Sequence, residues 1–290
     1  MGRQDKAKPK TKKRNHFKNM KTLQLKKIDH NFKIGDKVAN ISPNVTEDCL
    51  LLDGGEPVGF YIKNISAYSE RAAKLAEIAD YELRSSRVPK SEMSRGPQGS
   101  KADKLKRLQD GKNLVTQYSA ILGAIAPKPH MRRPYPTISS VHQVKSAQNF
   151  IKAMLMLCKE SEEILRQIMP EQYQIQKRLI AENTPEKYRF GELFTSSISN
   201  FNIAADYHID KANIQGCVNV IIAKRKDCEG GNTTVPAYGA TIDSSDSSML
   251  VYPAWKDLHG VTPIVKQSES GYRNTLVFYP LGAFKKYLKA

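Results

Sequence analysis

The chain has 290 residues, 40% of them hydrophobic, and a formal net charge of +17 at pH 7. That suits one large domain with a core, or a domain with an extension. It excludes a transmembrane helix, because no apolar run approaches the ~20 residues needed. Cys49, Cys158, Cys217 and Cys228 show no CxxC spacing, so free thiols in a reducing, intracellular compartment are expected rather than disulfides.

The charge is concentrated. Residues 1–29 carry 11 Lys/Arg against 2 acids, and residues 84–133 carry 12 against 3, so the remainder is close to neutral. Scattered charge would be a solvated surface. Two dense blocks beside a near-neutral segment fit a phosphate-binding rim and a nucleic-acid partner better.

In chain order, residues 1–29 read as a disordered basic arm that binds a polyanion or merely solubilises the chain. Residues 30–290 read as a single domain, with outer strands, helices and basic loops over 30–190. Lys37 to Ile41, Cys49 to Leu52 and Val58 to Ile62 are β-like, with Asp53-Gly54-Gly55 a hairpin signal. Ser66 or Ser69 can cap a helix to about Leu83, with Ala72, Leu75, Ile78 and Ala79 inward. Residues 84–112 form a basic loop whose Arg84, Arg87, Lys90, Arg95, Lys101, Lys104, Lys106 and Arg107 could clamp a nucleic-acid backbone. Pro127 to Pro134 breaks regular structure and adds cations. His142 to Met169 shows one long apolar stripe, including Met154, Leu155 and Cys158, and Pro170 opens a further helix to Ala181. Beyond residue 191, short strands recur at Phe194–Ile203, Cys217–Ala223, Tyr238–Ile242, Met249–Tyr252 and Arg273–Tyr279, which predicts a double-sheet jelly roll.

Chemistry concentrates in this last part. Residues two apart on an extended chain share a face, so His208 and Asp210 can share one metal ion. His259 can return in space as a third ligand. Two histidines and a carboxylate make the facial set of non-haem Fe(II) oxygenases. Zinc accepts the same donors, but the helical HExxH spacing is absent and zinc leaves Arg273 unexplained. Arg273 and Thr275 again share a face and suit a carboxylate. An HxD triplet alone arises often by chance; the ordered set HxD, His, RxT is far more specific.

At these residues the chain resembles the TET/J-binding protein family of Fe(II)/2-oxoglutarate-dependent dioxygenases, which oxidise the 5-methyl group of pyrimidines in DNA. The resemblance rests on His208-Ile209-Asp210, Glu229-Gly230-Gly231, Val235-Pro236-Ala237-Tyr238-Gly239, His259-Gly260-Val261-Thr262-Pro263-Ile264 and Arg273-Asn274-Thr275-Leu276-Val277-Phe278-Tyr279. It implies an α+β protein whose core over 191–290 is a double-stranded β-helix, in a compact phage or bacterial member acting in the bacterial cytoplasm. It implies Fe(II) on His208, Asp210 and His259, 2-oxoglutarate on Arg273 and Thr275, O2 as oxidant and ascorbate as reductant in vitro. DNA is the implied partner, with the target base flipped out. Asn213 matches a base-contacting position of the family, and Asn200 and Asn202 could reach co-substrate or base or be plain strand-edge polarity. Where cytosine-reading members carry a histidine after the closing strand, this chain has Leu281. The reading is 5-methylcytosine hydroxylation, with thymine hydroxylation and a non-catalytic nucleic-acid-binding module as alternatives. Trp255 and Tyr238 could stack on a base or fill the core.

Overall fold

The structure, a computed structural model, describes residues 20–92 and 117–288. Its strands are β1 (Lys21–Leu25), β2 (Cys49–Asp53), β3 (Glu56–Ile62), β4 (Ser91–Glu92), β5 (Tyr118–Ile125), β6 (Thr137–Ile138), β7 (Ser196–Phe201), β8 (Asn219–Lys226), β9 (Cys228–Gly230), β10 (Thr233–Val235), β11 (Ala240–Ile242), β12 (Met249–Tyr252), β13 (Gly260–Val261), β14 (Ile264–Lys266) and β15 (Tyr272–Tyr279). Its α-helices are α1 (Glu70–Arg84), α2 (Gln148–Ile168) and α3 (Pro170–Asn183).

One large sheet runs β1-β2-β3-β12-β8-β15-β7-β5-β4, with β6 on β5. Every pair in it is antiparallel except β1 with β2. Two smaller sheets, β11-β10-β13 and β14-β9, complete the strand framework. The fold is therefore mixed α/β around a large, mostly antiparallel sheet.

Period-two alternation divides the large sheet into two working faces. Leu276 and Phe278 of β15, Val220 and Ile222 of β8, and Met249 and Val251 of β12 join the main core against α1 and α2. Their neighbours Arg273, Thr275, Val277, Asn219, Ile221 and Tyr252 line a cavity on the other face. A second apolar cluster, including Tyr61, Val235, Ile242 and Leu250, packs on that far side.

Local signals account for most elements. Ser69 caps α1 by accepting from the Ala72 N–H at 3.0 Å. Gly54 and Gly55 join β2 to β3 with φ of +63° and +90°, the backbone a two-residue hairpin demands. Pro170 opens α3, where its missing N–H costs nothing.

Several expectations need correction. Lys21–Leu25, expected within a disordered arm, pairs in parallel with β2; residues 1–19 lie outside the described residues. Lys37–Ile41 is not a strand, because the preceding loop is held by irregular bonds, Gly35 N–H to Tyr207 O and Tyr207 N–H to Asp36 O. The helix expected from His142 starts at Gln148, since 140–143 and 145–147 wind as 3-10 turns. Ile78 and Leu155 face solvent, at 46% and 42% exposure, while Ala76, Leu83 and Leu157 take the inner positions. Half of the cations of the second basic block, among them Arg95, Lys101, Lys104, Lys106 and Arg107, lie outside the described residues. Among the described residues, no helix is long and apolar enough to cross a membrane.

Candidate active site

The loop after β7 carries His208 and Asp210, and His259 immediately precedes β13. An isolated antiparallel bridge joins the two histidines: each N–H donates to the other's carbonyl, at 2.8 and 2.9 Å. One potential ligand atom from each of His208, Asp210 and His259 lies within 4.8 Å of the other two. His208 Nε2 stands 3.7 Å from Asp210 Oδ1. The Nδ1 atoms of His208 and His259 meet the carbonyls of Asp206 and Asp257, at 2.7 and 3.1 Å. A carbonyl only accepts, so both Nδ1 atoms carry the proton and both Nε2 lone pairs are left for a metal. Burial, with the neighbouring His208 ring, lowers His259 to about 4, which keeps that imidazole neutral. The donor set fits a ferrous ion.

At the other end of a cavity of about 290 Å³ lies Arg273, 3% exposed. Its Nε donates to Ser244 Oγ at 3.1 Å, and Nη1 reaches Ile203 O at 3.5 Å. No carboxylate pairs with it among the described residues. Instead Arg225 stands directly across the strand pair. Burial first and Arg225 second lower the guanidinium to about 10. A buried cation without a counter-ion is costly, and a like charge opposite adds to the cost. The site is built for an anion, and a carboxylate of 2-oxoglutarate fits it. Thr275, two residues on, lines the same cavity. Gly231 (φ +69°) lies flat against the Arg273 stem; a Cβ there would collide with Arg273 Cδ.

Between the two ends, the wall is formed by Ile198, Asn200, Ile221, Val277 and Tyr279, with Tyr252 edge-on to His259 at 5.3 Å. Asn213 and Leu281 pair as an isolated bridge and also line the cavity. Asn219 links this region to the metal set: its Nδ2 donates to Asp210 Oδ2 at 3.1 Å, and its Oδ1 accepts from Asn213 Nδ2 at 2.9 Å.

The sequence profile of the Tet_JBP family, described as the oxygenase domain of the 2OGFeDO superfamily, matches residues 101–281, more than half of the chain. The chain belongs to the Tet_JBP family. Among solved structures, NgTET1 in complex with 5mC DNA superposes with a TM-score of 0.56 at 13% identity, covering 93% of this chain and 85% of that one. At that identity the likeness is one of fold. An oxidoreductase of the 2OG-Fe(II) oxygenase family from Burkholderia pseudomallei gives 0.43 at 12% identity, covering 73% and 81%. The structure of OsALKBH1 gives 0.40 at 15% identity, covering 78% and 97%. No curated protein matches the chain in sequence.

For a Tet_JBP oxygenase domain, Fe(II) and 2-oxoglutarate are implied, and the cavity brings together His208, Asp210, His259, Arg273, Thr275, Asn200 and Asn213. Asn202 does not line it. Its backbone is left-handed (φ +54°), and it brackets Arg273: its Oδ1 accepts from the Arg273 N–H at 2.9 Å, and its N–H donates to Arg273 O at 2.7 Å. Through these two bonds Asn202 holds the arginine strand. Trp255 donates to Cys217 O at 2.8 Å, and the single Tyr238 O–H lies within reach of carboxylate oxygens of Asp53 and Asp257 at 2.9 and 3.1 Å, so both are anchored structurally. Sequence reasoning missed Asn219 and Ser244, and named Gly231 only within the Glu229-Gly230-Gly231 motif, without its contact to Arg273. For Gly231 the Gly-Gly pair was a visible signal; for the other two there was none.

Two of the expected backbone clamps are engaged internally. Arg84 pairs with Asp80 and Arg87 with Glu82, both carboxylates being buried. Exposed cations gather elsewhere. Lys128, Arg132 and Arg133 lie on the loop after β5, and Lys285 and Lys286 follow β15. Tyr287 Oη to Pro134 O at 3.3 Å, Tyr188 Oη to Pro136 O at 3.4 Å and the Tyr188–Phe284 stack at 5.5 Å hold these segments together. Leu281, on the cavity wall, begins the second of them.

Proposed function

We propose that the protein is an Fe(II)/2-oxoglutarate-dependent dioxygenase that hydroxylates the 5-methyl group of 5-methylcytosine in DNA, on a double-stranded β-helix. The observation that carries the oxygenase reading is one cavity with a His–Asp–His set at one end and, at the other, a buried guanidinium that no carboxylate among the described residues meets. His208, Asp210 and His259 would hold Fe(II), while Arg273 and Thr275 would take the distal carboxylate of 2-oxoglutarate. Iron with 2-oxoglutarate and O2 supplies an oxidant that puts one oxygen atom into the substrate C–H bond and the other into succinate, with loss of CO2. The chain's own residues orient the reactants. Both Nδ1–H bonds lock the imidazoles, the Arg273 fork fixes the co-substrate's far end, and the apolar wall of Ile198, Ile221 and Val277 excludes water.

The DNA reading draws on family membership and on charge. Lys128, Arg132, Arg133, Lys285 and Lys286 are exposed on two segments tied to each other, the second of which begins at Leu281 on the cavity wall, and would suit phosphates flanking the reacting nucleotide. A methyl group inside a duplex cannot reach a recessed metal, so the nucleotide is expected to flip out. Incubation with a 5-methylcytosine duplex, Fe(II), 2-oxoglutarate and ascorbate should give 5-hydroxymethylcytosine by nucleoside mass spectrometry. Product from thymine duplexes alone would replace the base assignment, and no product from either would overturn the DNA reading.

A further inference from the structure

Asn219 opens β8 and is 3% exposed. Its two side-chain bonds, to Asp210 Oδ2 at 3.1 Å and from Asn213 Nδ2 at 2.9 Å, have an order that chemistry fixes. A metal-binding carboxylate offers only acceptors. Asn219 must therefore turn its NH2 toward Asp210. Its carbonyl is then what remains for Asn213, which must turn its own NH2 toward Asn219. The Asn213 carbonyl oxygen is left for the cavity. The backbone cannot re-aim it: the Asn213 N–H donates to Asp210 O at 2.9 Å, and the flanking bonds Ile214 N–H to Pro280 O and Gly282 N–H to Ala212 O are each 2.8 Å.

We propose that Asn219 is a positioning residue that transmits the acceptor-only character of Asp210 to Asn213, so that Asn213 presents a hydrogen-bond acceptor to the bound base. This rests on the function proposed above. In both candidate bases the group on C4 neighbours the reacting 5-methyl. The exocyclic amine of cytosine satisfies an acceptor there; the O4 carbonyl of thymine is repelled by it. Asn219 thus acts on two things through two bonds, the seating of the metal ligand and the choice of base.

Two variants separate these bonds. In Asn219→Ala both are lost. The Asn213 amide can rotate, and the ratio of single-turnover product from matched 5-methylcytosine and thymine duplexes should fall about tenfold, the worth of one good hydrogen bond. Fe(II) affinity should weaken about 10- to 100-fold as the ligand's outer partner goes, with a shift in the visible band of the anaerobic Fe(II)–2-oxoglutarate complex. Asn219→Asp keeps an acceptor toward Asn213 but cannot donate to Asp210. It should retain the base ratio and lose only iron affinity, and its near-identical shape keeps it readable if the alanine variant unfolds. An alanine variant that loses both products in equal proportion, or an aspartate variant with unchanged Fe(II) affinity and band position, would overturn the inference. If the wild type yields no product on either duplex, the proposed function fails, while the Fe(II) titration still decides whether Asn219 seats Asp210.

Discussion

The two faces of β15 answer opposite demands from one eight-residue strand. On the helix side, Leu276 and Phe278 are fully buried and Asn274 donates to Asp80 at 3.0 Å. Asp80 also accepts from Tyr272 Oη at 2.8 Å and pairs with Arg84 at 3.1 Å. Buried charge there is met by partners within the chain, although Asn274 Oδ1 itself finds none. On the cavity side, Arg273 is as deeply buried as those residues yet has no counter-charge among the described residues. One face holds the fold together; the other keeps an unmet requirement that only a ligand fulfils.

The comparison can be broken experimentally. Phe278 packs on Phe194 and Phe190, with ring centroids at 5.8 and 6.1 Å. Phe278→Ala should cost about 3–5 kcal/mol in denaturant unfolding. A loss below about 1 kcal/mol would show that this face does not carry the core.

Glu162 on α2 is the acid that strains the helix side. Burial lifts its carboxyl from 4.5 to about 7, although its Oε1 accepts from the Leu193 and Glu192 N–H groups at 2.9 and 2.6 Å. The folded state then holds a proton that the unfolded state releases, so this contribution to stability is complete below 4.5 and lost as pH rises through about 7. Glu162→Gln keeps the accepting oxygen without the charge. Its advantage over the wild type should grow by on the order of 2–3 kcal/mol between about pH 5 and pH 8. Parallel unfolding curves at both pH values would refute this.

Arg273→Ala should weaken 2-oxoglutarate binding by about 1.5–3 kcal/mol in anaerobic titration, while leaving apo stability level or higher. A melting point as depressed as that of Phe278→Ala would erase the contrast between the faces. Smallest of all, Asn202→Ala should cost about 1–2 kcal/mol, since alanine dislikes a left-handed backbone and the Arg273 N–H loses its partner. Asn202→Gly relieves the backbone strain alone, so recovering only part of the loss is the expected result.

Much of this was legible in advance. The alternation of Arg273, Thr275, Val277 and Tyr279 against Asn274, Leu276 and Phe278 fixes the strand and its two faces, and the HxD–His–RxT order marks both ends of the cavity. Amphipathic spacing locates α1 and the end of α2 within a few residues, while the start of α2 falls six residues after the expected His142. What the sequence hid was tertiary. The left-handed turn at Asn202 is bracketed by two bonds to the Arg273 backbone, which arrives from 71 residues away. Asn219 and Ser244 look like ordinary polar residues until Asp210 and Arg273 arrive from elsewhere in the chain. The basic stretch around Arg84 and Arg87 looks like a nucleic-acid clamp because periodicity cannot reveal that Asp80 and Glu82 turn inward to meet them. β1 was obscured by the lysines around it.

Gly231 has a consequence for co-substrate choice. Because the Arg273 stem rests on bare main chain, the guanidinium cannot retreat, and the span between it and the His–Asp–His set becomes a fixed gauge. On the proposed function, keto diacids would be sorted by chain length, and the measuring would be done by a residue that has no side chain at all.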